Sequence, residues 1–221
     1  VIKFFEQKGI IIFRNFNFNT DNLMKFTDQF TKTYASDAPR RKKVSDNKNI
    51  NTVDLGFHEM PLHSEASYSP SWPEILWFYC ITPSLKGGKT TVSDGIMIWK
   101  KLSNSTRDFF LSNPIIYNLE FEVIKNKNKK GKKTWPMTTL GSSNGIIDFD
   151  KGILNVKQTR FAVSESRIEN QLCFSNHLQI IFDNEPQIKS HTLMNGDKIP
   201  EDIMQEIKEI SDEYTFDIDW K

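Results

Sequence analysis

Apolar positions along this chain follow two spacings, and β-like runs are more frequent than helical ones. Runs rich in β-branched and aromatic residues, bounded by turn residues, predict strands. These runs are residues 10–16, 74–81, 90–95 with its closing turn, 115–124, short strands within 146–164, and a strand that begins at 215. The segment 74–81 has no alternation with polar residues, so we expect a fully buried strand there.

Helical spacing is confined to a few segments that carry end signals. We predict helices at residues 1–8, 22–34, 96–113 and 201–214. Gly9 and Pro114 end two of them, and Asn19-Thr20-Asp21 supplies cap chemistry for another. The polar segments 37–49, 124–135 and 189–196 are predicted loops.

Many strands with a few helices towards the chain ends favour a mixed, mainly β fold with flanking α-helices over a doubly wound parallel sheet. The length of 221 residues suits one domain over residues 1–221, and 38% hydrophobic residues suffice for a core. Because the chain starts at Val1 inside a predicted helix and ends at FDIDWK, we expect a domain truncated at its C-terminus.

Composition excludes several classes of function. A net charge of +1 argues against a dedicated nucleic-acid binder, and GGKTT lacks the spacing of a phosphate loop. The two cysteines sit in apolar surroundings, so we expect free thiols in a cytoplasmic protein. The sequence shows neither a membrane-spanning stretch nor a signal-peptide pattern.

The sharpest local feature is His63-Ser64-Glu65. In an extended segment, residues two apart project from the same face, so an imidazole and a carboxylate would lie side by side. They would form two-thirds of the facial triad of two histidines and one carboxylate that binds Fe(II). A surface polar pair is the alternative, since this short motif is common by chance.

Residues 60–95, MPLHSEASYSPSWPEILWFYCITPSLKGGKTTVSDG, resemble the taurine dioxygenase (TauD/TfdA-like) family. The shared features are a leucine-histidine-x-acid unit, an aromatic strand ending in Tyr-Cys, Gly-Gly-x-Thr and an Asp turn. Within the family, the chain is most similar to the syringomycin-type and clavaminate-type amino-acid hydroxylases. Weaker similarity runs through TRFAV, CFSNH and the segment from NGDKIP to FDIDWK.

The resemblance implies a double-stranded β-helix (jelly-roll) core, Fe(II) and 2-oxoglutarate as cofactors, and iron ligation by His63 and Glu65. Thr90 matches the residue that hydrogen-bonds 2-oxoglutarate; a structural strand threonine is the alternative. The third ligand, a histidine, and an arginine for 2-oxoglutarate are expected beyond Lys221. A carboxylate ligand implies hydroxylation or another oxidation, since related halogenases have a small residue there.

The implied substrate is a small molecule, such as an amino acid that is free or tethered to a carrier protein. Candidate substrate residues are His58, Tyr68, Arg160, Asn176 and His177. Arg160 suits a carboxylate because its planar fork donates two hydrogen bonds, although an ion-pair role is equally open. A catalytically inactive relative and a non-enzymatic β-sandwich binding module are the rival interpretations.

Overall fold

The structure is a computed structural model that describes residues 1–35, 41–44, 49–53, 59–69, 72–122, 126–127, 133–134, 145–148, 151–166, 170–180 and 188–220. The helices within these residues are α1 (Ile2–Lys8), α2 (Thr20–Thr27), α3 (Gly95–Lys101), α4 (Asn104–Ser112) and α5 (Glu201–Glu213). The strands are β1 (Thr90–Ser93), β2 (Ile115–Glu122), β3 (Asn126–Lys127), β4 (Lys133–Thr134), β5 (Gly145–Asp148), β6 (Ile153–Arg160), β7 (Val163–Glu165), β8 (Leu172–Phe174), β9 (Ile188–Leu193) and β10 (Thr215–Ile218).

The core is built on an antiparallel sheet with the strand order β5-β6-β2-β9. Alternate residues of β2 are buried, and Ile115, Tyr117 and Leu119 are almost inaccessible to solvent. The same alternation runs along β6, which pairs with β2 over its whole length. One face of this sheet therefore points into the core, as is usual for antiparallel sheets. Smaller antiparallel pairs, β1-β10, β3-β4 and β7-β8, complete the described strands.

The predicted helix over residues 96–113 is two helices in the structure. Asp94 caps α3 by accepting from the amides of Ile96 and Met97. The chain leaves the helical conformation at Leu102, and Ser103 then caps α4 by accepting from the Thr106 amide. A serine favours such an N-terminal cap because its side chain competes with helical hydrogen bonding, which explains the break.

Two predicted strands are wrong. Residues 10–16 and 74–81 belong to no described strand. The segment 74–81 is also not fully buried, because Leu76 and Phe78 are 49% and 51% exposed. Trp77 points inward instead and stacks on Phe30 at 5.9 Å between ring centroids. Aromatic packing, rather than a strand ladder among the described residues, accounts for the apolar composition of this segment.

Two polar segments that the sequence predicts as loops contain strands. Residues 189–196 include most of β9, so His191 lies in a strand and is not in a solvated loop. Within 124–135, the short strands β3 and β4 pair with each other. The antiparallel sheets with accompanying helices agree with the predicted mixed, mainly β class. No described helix has the length and apolarity needed to cross a membrane.

Glu206 links helix α5 to the start of α4 through hydrogen bonds. Its carboxylate accepts hydrogen bonds from the Ser103 amide, the Ser103 hydroxyl and the Thr106 hydroxyl. The negative charge also lies at the positive N-terminal end of α4. Ile207, the next residue of α5, is fully buried in the core.

We predict that Glu206→Ala lowers the free energy of unfolding by about 1–3 kcal/mol, because three donors lose a charged acceptor. Glu209→Ala, on the exposed face of α5, is the matched control and should change stability by no more than about 0.5 kcal/mol. Urea denaturation measures both. Equal effects of the two substitutions would contradict the linking role of Glu206.

Candidate active site

His63 lies in an irregular segment that leads directly into tight turns beginning at Glu65. The Ser67 amide donates to the Ser64 carbonyl at 3.1 Å, and the Ser69 amide donates to the Ala66 carbonyl at 2.8 Å. Ala66 has a φ of 51°, in the left-handed region that few non-glycine residues adopt. The Ser64 amide donates to the Asn176 carbonyl at 2.9 Å, which ties the turns to the end of β8.

The side chains of His63 and Glu65 lie side by side, as the spacing predicts. The distance from His63 Nε2 to Glu65 Oε2 is 3.5 Å. His63 Nδ1 is 2.8 Å from the Pro61 carbonyl oxygen, which can only accept, so Nδ1 carries a proton. Nε2 is therefore the ring nitrogen that faces the carboxylate, and once deprotonated it can bind a metal, as in metal-binding histidines whose other ring nitrogen donates to a carbonyl.

Glu65 is held in its ionised form. The hydrogen bond with His63 is the largest influence on its pKa and, together with the positive charge of Arg41, places that pKa below its usual range despite the opposing effect of burial. Arg41 Nη2 lies 3.8 Å from Glu65 Oε1. The carboxylate is therefore available as an anionic ligand at neutral pH.

The pair fits part of a divalent metal site. Two neighbouring ligands of an octahedral ion lie about 3.0 Å apart when their bonds to it are about 2.1 Å, close to the observed separation. Among the described residues, however, no three His, Cys, Asp or Glu side chains come together as a possible metal site. The described part of the chain thus supplies two ligand groups of the kind that Fe(II) accepts.

His177 lies behind this pair in the core. Its ring is 4.9 Å from the rings of both His63 and Tyr68. Its Nδ1 is 3.0 Å from Ser67 Oγ, and its amide donates to the Tyr117 hydroxyl at 3.2 Å. Burial, reinforced by the charge of His63, lowers the pKa of His177 to about 3, so its imidazole is neutral.

The side chain of Asn176 forms two hydrogen bonds with neighbouring backbone. Its Nδ2 donates to the Ala162 carbonyl at 3.0 Å, and its Oδ1 accepts from the Leu178 amide at 3.1 Å. Both ends of the side-chain amide are thus used to hold neighbouring backbone, including the segment that anchors Ser64. These contacts suit positioning of the turns that carry His63 and Glu65.

Thr90 begins β1, opposite Ile218 of β10. Its hydroxyl accepts from Trp220 Nε1 at 2.9 Å, which leaves its own O–H free to donate elsewhere. Thr90 thus lies in the β1-β10 pair, a sheet to which neither His63 nor Glu65 belongs. Of the remaining candidates, Arg160 ends β6 with its guanidinium carbon 5.6 Å from the ring centre of Trp72, and His58 lies outside the described residues.

Sequence reasoning missed three residues around the candidate site, namely Arg41, which contacts Glu65, and Ser67 and Tyr117, which contact His177. Arg41 lies in the predicted loop 37–49, and nothing in its local sequence distinguishes it from the neighbouring basic residues. Tyr117 lies at an inward position of β2, where alternation predicts burial. A buried tyrosine needs a hydrogen-bond partner, and that requirement is the signal that could have singled it out.

Comparisons with known proteins identify the family of this chain. The sequence matches the taurine catabolism dioxygenase TauD, TfdA family over residues 1–221, so the chain belongs to that family. Its members are dioxygenases that depend on Fe(II) and 2-oxoglutarate. The family indicated by residues 60–95 is therefore confirmed.

A more particular relative is the dapdiamide synthesis protein DdaC of Enterobacter agglomerans. It is 25% identical to this chain over 120 residues, which are 52% of this chain and 36% of the relative. The chain thus matches about a third of the length of that protein.

We predict that Asn176→Ala lowers the free energy of unfolding by about 2–4 kcal/mol, because a buried carbonyl and a buried amide each lose their partner. Asn155→Ala, at an exposed position of β6, is the control and should cost no more than about 0.5 kcal/mol. Chemical denaturation compares the two. A stability unchanged by Asn176→Ala would contradict the positioning role.

Proposed function

We propose that this protein is an Fe(II)- and 2-oxoglutarate-dependent oxygenase that hydroxylates, or otherwise oxidises, a small substrate. The observation that supports this most is the 3.5 Å approach of His63 Nε2 and Glu65 Oε2 in a member of this dioxygenase family. When bound, iron with 2-oxoglutarate and oxygen supplies the oxidising chemistry. The protein supplies two ligands, their orientation and a partly buried environment.

His63 and Glu65 are the proposed iron ligands. The hydrogen bond from His63 Nδ1 to the Pro61 carbonyl orients the ring, and Arg41 steadies the carboxylate. The third ligand in the family pattern is a distal histidine, and the described residues bring no third metal-binding side chain to this pair. A carboxylate at position 65 occupies the place that a halogenase leaves for chloride, which supports oxidation of the substrate without halogenation.

Thr90 is the proposed partner of 2-oxoglutarate, through the hydroxyl proton that its bond to Trp220 leaves available. The proposed architecture is one oxygenase domain over residues 1–221 with a double-stranded β-helix core. Its antiparallel sheets and helices are compatible with that fold. The family setting also supports a cytoplasmic enzyme that acts on small molecules.

The proposed substrate is an amino acid, either free or tethered to a carrier protein. The similarity to a protein named for dapdiamide synthesis is in keeping with a biosynthetic substrate. The proposed substrate-facing residues are His58, Tyr68, Arg160, Asn176 and His177. Of these, Tyr68 and His177 have their rings 4.9 Å apart beside His63.

A catalytically inactive relative is the second candidate. The observation in its favour is that the described residues bring together no group of three metal-binding side chains. Measuring iron content and 2-oxoglutarate turnover in the complete protein separates the two, since an inactive relative would bind little iron and form no succinate.

We predict that Glu65→Gln abolishes tight Fe(II) binding and succinate formation together. The amide retains the shape of the side chain but removes its negative charge, whereas Glu65→Asp retains a carboxylate and should keep part of the activity. Glu165→Gln, at an exposed position of β7, is the control. Iron content and succinate yield are measured for each. Parent-like iron content and turnover in Glu65→Gln would show that Glu65 is not a ligand.

We predict that Thr90→Ala raises the KM for 2-oxoglutarate by about 2- to 12-fold, the equivalent of about 0.5–1.5 kcal/mol for one hydrogen bond. Thr90→Ser keeps the hydroxyl and should restore the parent value. Thr91→Ala, on the other face of β1, is the matched control. Steady-state kinetics with varied 2-oxoglutarate provides the measurement, and an unchanged KM in Thr90→Ala would leave Thr90 with a structural role alone.

A further inference from the structure

Two hydrogen-bond donors on the inner face of β6 have no acceptor among the described residues. They are Nε2 of Gln158 and Nε of Arg160, and both atoms are buried. Gln158 as a whole is only 7% exposed. The two residues are two apart on one strand, so their side chains project from the same face.

Leaving these donors unsatisfied is costly for the folded protein. A buried donor without a partner costs about 1–3 kcal/mol, and more when it is charged. Burial also lowers the pKa of Arg160, because the charged guanidinium loses hydration. A leucine at position 158 would avoid this cost. Two buried donors without an acceptor therefore lower the stability of the fold. Such a loss of stability is common at binding sites.

The strand register and a series of contacts connect these donors to the proposed iron ligands. Gln158 is directly opposite Tyr117 in the β2-β6 register, and the Tyr117 hydroxyl accepts from the His177 amide. His177 in turn packs against His63. Arg160 is two residues before Ala162, whose carbonyl accepts from the Asn176 side chain.

Trp72 orients the guanidinium of Arg160. The guanidinium carbon of Arg160 lies 5.6 Å from the centre of the Trp72 ring, and Trp72 is 45% exposed. An aromatic face attracts a guanidinium and restricts its orientation without using its N–H groups. Arg160 is thus at the solvent side of the face, and the more deeply buried Gln158 is at the inner side.

We propose that Gln158 and Arg160 form the subsite that binds the carboxylate of the substrate. This inference rests on the proposed function and adds the group by which the substrate is held. A carboxylate matches one guanidinium and one amide donor in charge and in number of acceptors, and hydrogen bonds to it are charge-assisted. The subsite belongs to a different sheet from Thr90, the proposed 2-oxoglutarate contact.

Propionate, a simple carboxylate, tests the subsite without any need for iron. In nitrogen-resolved NMR spectra of the complete protein, propionate should shift the Arg160 Nε–H and Gln158 side-chain amide signals. Neutral propionamide, which has the same shape, should not. Absent shifts with propionate, or equal shifts with propionamide, would overturn the inference. Since succinate formation reports separately on the oxygenase, failure of one proposal is distinguishable from failure of the other.

Variants give an independent readout of the same subsite. Arg160→Gln should weaken propionate binding by about 10- to 100-fold, whereas Lys157→Gln removes a charge from the outward face of β6 and serves as the control. Gln158→Leu should weaken propionate binding and yet raise the urea midpoint, because it removes a buried donor that lacks a partner. A lower urea midpoint in Gln158→Leu would mean that the protein itself satisfies this donor, and would overturn the inference.

Discussion

The hydrogen bond from the Ser64 amide to the Asn176 carbonyl is the constraint on which the candidate site depends. His63 and Glu65 lie in an irregular segment and turns that belong to no described strand, so no sheet ladder fixes them. The Ser64–Asn176 bond joins these turns to the chain that follows β8. Asn176 is itself held by Ala162 through its side chain, so the position of the ligand pair is set by residues about a hundred positions away in the sequence.

The same anchor brings aromatic and imidazole groups together behind the ligands. His177 directly follows Asn176, and its ring packs between those of His63 and Tyr68. Because burial keeps this imidazole neutral, it adds no positive charge beside a prospective cation. The Ser67 hydroxyl at its Nδ1 and the Tyr117 hydroxyl at its amide fix its position. The neutral core histidine thus supports the ligand pair without competing with the metal for it.

Local patterns predicted the elements that carry their own signals. The helix α5 and the strand β2 follow from periodicity, and the pairing of His63 with Glu65 follows from their spacing. The segment 74–81 could not be predicted in this way, since apolar composition does not show whether a strand partner exists. Arg41 also escaped prediction, because its contact with Glu65 depends on long-range folding. Patterns in sequence report local preference, whereas the surroundings of the site depend on tertiary contacts.

The polar groups around the candidate site differ in the charge that would stabilise them. At one position, His63 Nε2 and the Glu65 carboxylate lie 3.5 Å apart, and both are groups that bind cations. On the inner face of β6, two buried N–H donors have no acceptor among the described residues and would be stabilised by an anion. The proposed oxygenase, which would hold a divalent metal and an anionic substrate, would use both kinds of group. A purely structural core would have an apolar side chain at the position of Gln158, because apolar packing costs less than a buried polar group without a partner.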